Sequence, residues 1–259
     1  MKLVDVGNLS ELLGSAERRE HLLASVRDYD ICVTRRFVEP SYVESIVSYL
    51  TQIGRGSLPN RHATQAGCPN HHRAYTWDDR SYVKGCYHQF SFFPWNEDIF
   101  TFFQTFRSVY QLRNLLSDKP ADQFLGTKPQ DGCIARLSFQ FYPKAFGAMN
   151  KHADPVDIHQ QVVPVMIMSK RGRDFLDGGL FFEAPNGERT YVEDLTEPGD
   201  IVWSHAQHPH GIDKIDPNVK SDWLSFEGRW STVFAVNKLV DSVHIADPID
   251  LDRPTQRIR

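Results

Sequence analysis

The chain has 259 residues, 41% hydrophobic and 24% charged, with a formal net charge of −4 and a pI near 6.2. That balance offers no basic field for a nucleic-acid partner, and no apolar run approaches the ~20 residues that span a bilayer. The opening MKLVDVGNLSELLG lacks a basic segment followed by an apolar core, so the expectation is no secretory leader and a cytoplasmic location.

Residues 8–28 have helical periodicity, with Asn8 and Ser10 as candidate N-caps. Asp30–Arg35 reads as a short strand, and Pro40-Ser41 opens a second helix through about Leu50. Residues 52–95 are rich in Gly, Pro, Asn, His and aromatics and read as irregular, with Tyr87–Phe93 the best strand candidate. Glu97–Leu116 reads as a third helix, placing Phe100, Phe103, Phe106 and Tyr110 at core spacing. After Gly132 the texture changes. Cys133–Tyr142, Gln161–Met168, Gly179–Glu183, Ile201–Ser204 and Ser231–Asn237 are strand-like runs between turn residues.

Helices first and short strands afterwards predict a mainly β fold, a barrel or sandwich with flanking N-terminal helices. No repeat or linker interrupts the chain, so a single domain over 1–259 is expected. It divides into a helical and lid-forming part (1–131), a β core (132–240) and a C-terminal tail (241–259). The cysteines, Cys32, Cys68, Cys86 and Cys133, are too sparse for a disulfide framework. Cys68 and His71-His72 with Cys86 and His88 form an imaginable zinc set, but neither half has a standard ligand spacing.

The chemistry-bearing pattern starts at His152-Ala153-Asp154. In an extended chain residues i and i+2 project to one side, so His152 and Asp154 can share a metal. With 11 His and 22 Asp, chance alone supplies about one His-x-Asp, so the motif depends on its surroundings. Downstream follow Gly178-Gly179-Leu180-Phe181-Phe182, Pro198-Gly199-Asp200-Ile201-Val202-Trp203, His210-Gly211-Ile212 and Gly228-Arg229-Trp230-Ser231. In this order they resemble the Fe(II)/2-oxoglutarate-dependent dioxygenase superfamily, in the style of its phytanoyl-CoA hydroxylase-like and prolyl-hydroxylase-like branches. The resemblance covers roughly residues 132–237, with a weaker echo at 8–50.

The resemblance implies a double-stranded β-helix (jelly-roll, cupin-like) core with the N-terminal helices on one sheet. It also implies Fe(II), 2-oxoglutarate as co-substrate and O2. Two imidazoles and one carboxylate on one face of iron leave three positions open, two for 2-oxoglutarate and one for O2. A carboxylate at Asp154, where related halogenases have a small residue, favours oxygenation. The distal ligand is chosen among His205, His208 and His210. His210 stands directly before Gly-Ile, the family position, and His208 is the main rival because it points the same way in a strand.

For the co-substrate, Arg229 with Ser231 matches an Arg-x-Ser clamp, since a guanidinium fork takes a carboxylate through two charge-assisted bonds. One departure is the nineteen-residue gap from His210, about twice that of many relatives, which an inserted loop at 213–227 would explain. Arg136, Ser138, Gln140 and Tyr142 alternate with apolar residues. In this fold that strand often lines the pocket, so Tyr142 and Gln140 are co-substrate candidates, and Arg136 a candidate for co-substrate or substrate.

Residues 59–95 with 213–227 are the expected lid. It carries Tyr75, Trp77, Asp78, Asp79, Arg80, Tyr82, Phe90, Phe92 and Trp95, a mixture suited to a polar, amine-bearing small molecule. The reading is hydroxylation of an unactivated C–H bond in a small polar metabolite, releasing succinate and CO2. The alternatives are a protein side-chain hydroxylase and a non-catalytic cupin-like barrel that binds metal or ligand.

Overall fold

A computed structural model of the chain describes residues 1–59, 63–77, 83–156, 159–239 and 249–251. Asp78, Asp79, Arg80 and Tyr82 of the expected lid, and most of the C-terminal tail, lie outside the described residues. The first part holds β1 (Leu3–Asp5), α1 (Leu9–Gly14), α2 (Ala16–Arg27), β2 (Ile31–Thr34) and α3 (Pro40–Gly56). Then come β3 (His71–Thr76), β4 (Gly85–Phe92), α4 (Phe102–Thr105) and α5 (Arg107–Leu116). The β core follows with β5 (Cys133–Pro143), β6 (Ala148–Ala153), β7 (Val162–Ile167), β8 (Gly179–Glu183) and β9 (Arg189–Tyr191). It closes with β10 (Ile201–His205), β11 (His210–Asp213), β12 (Gly228–Lys238) and β13 (Ile249–Asp250).

The single helix expected over residues 8–28 is two. Asn8 Oδ1 accepts the Glu11 N–H at 3.0 Å to cap α1, whereas Ser10 lies inside the helix. Ser15 turns extended after Gly14, and its hydroxyl accepts the Arg18 N–H at 3.3 Å to open α2. The helix expected from Glu97 begins only at Phe102, because Thr101 is left-handed (φ 55°) and Asp98 Oδ2 accepts the Phe103 N–H at 2.9 Å. α3 runs past Leu50 to Gly56. Gly54 suits it because the Phe226 ring lies where a side chain would start.

The strands form one curled sheet in the order β1-β2-β10-β7-β12-β5-β4-β6-β11-β8-β9, with β3 on β4 and β13 on β6. It folds over itself at the corner between β5 and β6. The β4 edge follows both limbs of that corner, pairing Phe141 with His88 and Met149 with Gly85. Two walls result, β2-β10-β7-β12-β5-β4 and β6-β11-β8-β9. This is the double-stranded β-helix the motif order implied.

Strand alternation decides what each wall shows. On β5, Ala135, Leu137, Phe139 and Phe141 turn outward into the main core with Leu50, Phe106 and Tyr110 of the helices. Burying each phenylalanine contributes about 1.5–3 kcal/mol. Tyr142 turns inward, joining Tyr87, Ile167, Leu180, Phe182 and Ile212 in a second cluster between the walls. By the same parity Arg136, Ser138 and Gln140 face inward. Between the walls, the inner face of β5 is therefore polar beside an apolar cluster drawn from both walls.

Candidate metal centre

β6 and β11 are antiparallel neighbours that set His152 and His210 opposite each other. Their rings are 4.3 Å apart between centroids. Asp154 follows β6, its N–H donating to Ala206 O at 2.9 Å. Its carboxylate lies 3.9 Å from His152 Nε2 and 3.7 Å from His210 Nε2. One donor atom from each of the three falls within 4.8 Å of the others. Among the described residues this is the one group of three or more such side chains so arranged.

Both imidazoles are oriented from behind. His152 Nδ1 lies 2.9 Å from Asn150 O, and His210 Nδ1 lies 2.8 Å from His208 O. A carbonyl only accepts, so each Nδ1 carries a proton and each Nε2 is turned toward Asp154. His152 is buried, while His210 and Asp154 remain partly open to the chamber. Two imidazoles with one carboxylate on one side suit a divalent first-row metal with open positions.

The rival histidines stand elsewhere. His208 is fully buried between Phe182 and Tyr29, at 4.8 and 5.0 Å between ring centroids. Burial pulls its pKa down to about 3, and its carbonyl steadies His210. His205 ends β10, and its Nδ1 accepts the Gln207 N–H at 3.3 Å.

β12 pairs with β5 so that Arg229 faces Tyr142 and Ser231 faces Gln140. The Arg229 guanidinium is buried, donates through Nη1 to Ser231 Oγ at 3.0 Å, and lies 5.3 Å from the centre of the Tyr142 ring. Its Nε donates to Glu193 Oε1. The Tyr142 hydroxyl donates to Gln140 Oε1 at 2.8 Å. Burial pushes that phenol up, Arg229 pulls the other way, and it stays a neutral donor. Arg229, Ser231, Tyr142 and Gln140 thus form one network. Arg136 stands apart at the other end of β5, with Nη1 donating to Asn237 Oδ1 at 2.8 Å.

Glu193 escaped sequence reading. It sits in a short 3-10 turn (Val192–Asp194) beside another acid, with no periodicity to mark it as buried. Its second oxygen accepts the Leu180 N–H at 3.0 Å.

The 213–227 segment, expected as an inserted part of the lid, docks on α3 behind the other face of the sheet. Arg55 donates to Leu224 O and Ser225 O at 3.1 and 3.0 Å. Trp223 and Phe226 pack on His88, which alternates with the inward residues of β4. A buried chain runs there from Ser57 Oγ to His72 Nδ1 (2.7 Å) and from His72 Nε2 to His88 Nδ1 (2.8 Å). Two imidazoles of the imagined zinc set, His72 and His88, are thereby bonded to each other, while His71 Nδ1 lies 3.2 Å from Pro69 O.

No protein-family model matches the chain, and no curated protein matches it. Solved structures do. The chain is similar to a prolyl-4-hydroxylase from Pseudomonas putida (13% identity, 83% of this chain and 96% of that one, TM-score 0.50). It is similar to a putative oxygenase from Shewanella oneidensis (14% identity, 90% and 89%, TM-score 0.54). It is also similar to a full-length Neurospora crassa protein in complex with alpha-KG and thymine (13% identity, 96% and 93%, TM-score 0.54). At such identities the likeness is one of fold. The chain is a double-stranded β-helix protein carrying a His-Asp-His cluster on its inner wall.

Proposed function

We propose that the chain is an Fe(II)- and 2-oxoglutarate-dependent oxygenase that hydroxylates an unactivated C–H bond of a small polar metabolite, releasing succinate and CO2. The observation that carries this reading is the Asp154 carboxylate held within 4 Å of two imidazole Nε2 atoms, both oriented by backbone carbonyls. His152, Asp154 and His210 would hold Fe(II). Arg229 and Ser231, with Tyr142 and Gln140, would take the far carboxylate of 2-oxoglutarate.

When bound, the metal and co-substrate supply oxidative decarboxylation and with it the power to break a C–H bond. The protein's own part is positioning. Glu193 and Ser231 fix the plane of the Arg229 guanidinium, so it meets a carboxylate without reorganising. Phe182 and Ile212 line the wall beside His210 and keep water from the reacting face. A chain of the same fold, the Neurospora protein, is recorded in complex with alpha-KG and thymine, which supports the co-substrate and a small-molecule substrate.

The test is anaerobic addition of Fe(II) and 2-oxoglutarate, read by a visible metal-to-ligand charge-transfer band, followed by O2 and a succinate assay. A band that survives Asp154→Ala but is lost when His152→Ala and His210→Ala are combined supports the triad. Succinate formation indifferent to His210→Ala would remove His210 from it.

A further inference from the structure

We infer that the substrate of this site carries an oxyanion, a carboxylate or a phosphate, and that Arg136 receives it. The inference rests on the oxygenase reading for the word substrate, and on the inner wall for its geometry.

Tyr142 and Met149 face each other beside the corner, with the Tyr142 hydroxyl 3.9 Å from Met149 Sδ. Moving away from the corner, β5 passes Gln140 and Ser138 before Arg136, while β6 reaches His152 and then Asp154. His152 and Asp154 thus follow Met149 by three and five residues, while Arg136 precedes Tyr142 by six. Arg229, opposite Tyr142, is at the corner end of β5, and Arg136 is near its other end. Six residues separate Tyr142 from Arg136, about 20 Å of strand at ~3.3 Å per residue. The carbon chain of 2-oxoglutarate, four C–C bonds of about 1.5 Å, is too short to serve both ends. If Arg229 takes the co-substrate, Arg136 answers to something else.

Arg136, a half-buried cation, also lacks a counter-charge among the described residues. Arg229 has Glu193, but among the described residues no carboxylate pairs with Arg136, and its one hydrogen bond goes to the neutral Asn237 Oδ1. Among the same residues its Nε is buried without a partner, and so is the hydroxyl of Ser138, two residues on along the same face. Buried charges are paired in native proteins, and donors left unpaired on a chamber wall mark where a ligand supplies the acceptors. Burial also pulls the guanidinium down from its usual value; Tyr75, Tyr87 and Tyr110 oppose that pull and Arg73 adds to it. The side chain as a whole remains partly accessible, so a ligand can reach it.

The test is calorimetric titration of the full chain with four probes of one shape: benzoate, phenyl phosphate, benzamide and benzylamine. Fe(II) and saturating 2-oxoglutarate are present without O2, so that the Arg229 end is filled. At least one anion is expected to bind about tenfold or more tightly than the amide and the amine. Arg136→Met should cost that anion about ten- to hundredfold, and Arg136→Lys should recover part of it. The tighter of the two anions identifies the group. Should Arg136→Met not fold, Arg136→Lys and Ser138→Ala each weaken anion binding if the inference is right. Equal binding of all four probes, no binding of either anion, or anion binding indifferent to these substitutions would overturn it. The charge-transfer band of the unaltered protein reports separately on the oxygenase reading. Its absence alongside Arg136-dependent anion binding would sink that reading and leave the oxyanion site standing.

Discussion

Arg229 and Glu193 meet as a sealed ion pair, each side chain about 1% exposed, with Ser231 Oγ and the Leu180 N–H completing their hydrogen bonds. Removing one partner of such a pair leaves the other charged and dry. Glu193→Ala is expected to cost about 3–5 kcal/mol, read by chemical denaturation. Because 2-oxoglutarate would bring a replacement carboxylate to Arg229, it should raise the melting temperature of Glu193→Ala more than that of the unaltered protein. Equal shifts would detach Arg229 from the co-substrate.

The same network predicts the kinetics of Arg229→Gln. Loss of a charge-assisted fork should raise the KM for 2-oxoglutarate by about ten- to a hundredfold while leaving Fe(II) affinity near its starting value. A change confined to Fe(II) affinity would contradict the assignment.

Acid sensitivity follows from the buried histidines outside the cluster. Burial lowers His72 to about 4 and His88 to about 3, below the ordinary 6.5. Their folded pKa is depressed, so the unfolded chain binds more protons between about pH 3 and 6.5. The stability their neutral state allows is therefore complete above about 6.5 and is lost as pH falls through that window. Denaturation midpoints should fall from pH 7 to pH 5, and a combined His72→Phe and His88→Phe variant should flatten the slope by about two protons. An unchanged slope would mean these imidazoles titrate normally.

Gly54 offers a packing test. A Cβ there would come within 2.3 Å of Phe226 Cζ and 3.1 Å of Phe90 Cζ. Gly54→Ala gains helix propensity yet should destabilise by about 1–3 kcal/mol through overpacking. Pairing it with Phe226→Leu should recover part of the loss. A stabilising Gly54→Ala would show that the 213–227 segment does not dock tightly on α3.

Much of this was legible in the residues because it is local. The Leu137, Phe139, Phe141 alternation announced a strand with an oily and a polar side, and His152-x-Asp154 announced two metal-capable groups within reach of each other. Turn residues such as Gly178-Gly179 and Pro198-Gly199 marked where β8 and β10 begin. Even the failures at Ser15 and Thr101 were local: a serine used as a cap and a threonine in left-handed conformation.

Periodicity and spacing could thus identify strands, faces and the His-x-Asp pair, since those depend on neighbours a few residues away. The meeting of His210 rather than His208 with that pair, the hidden Glu193 behind Arg229, the docking of the 213–227 segment on α3 and the separation of Arg136 from Arg229 needed the fold itself. Each depends on which strands lie side by side and in what register. Chain segments distant in sequence settle that by packing a shared core, and no local pattern records it.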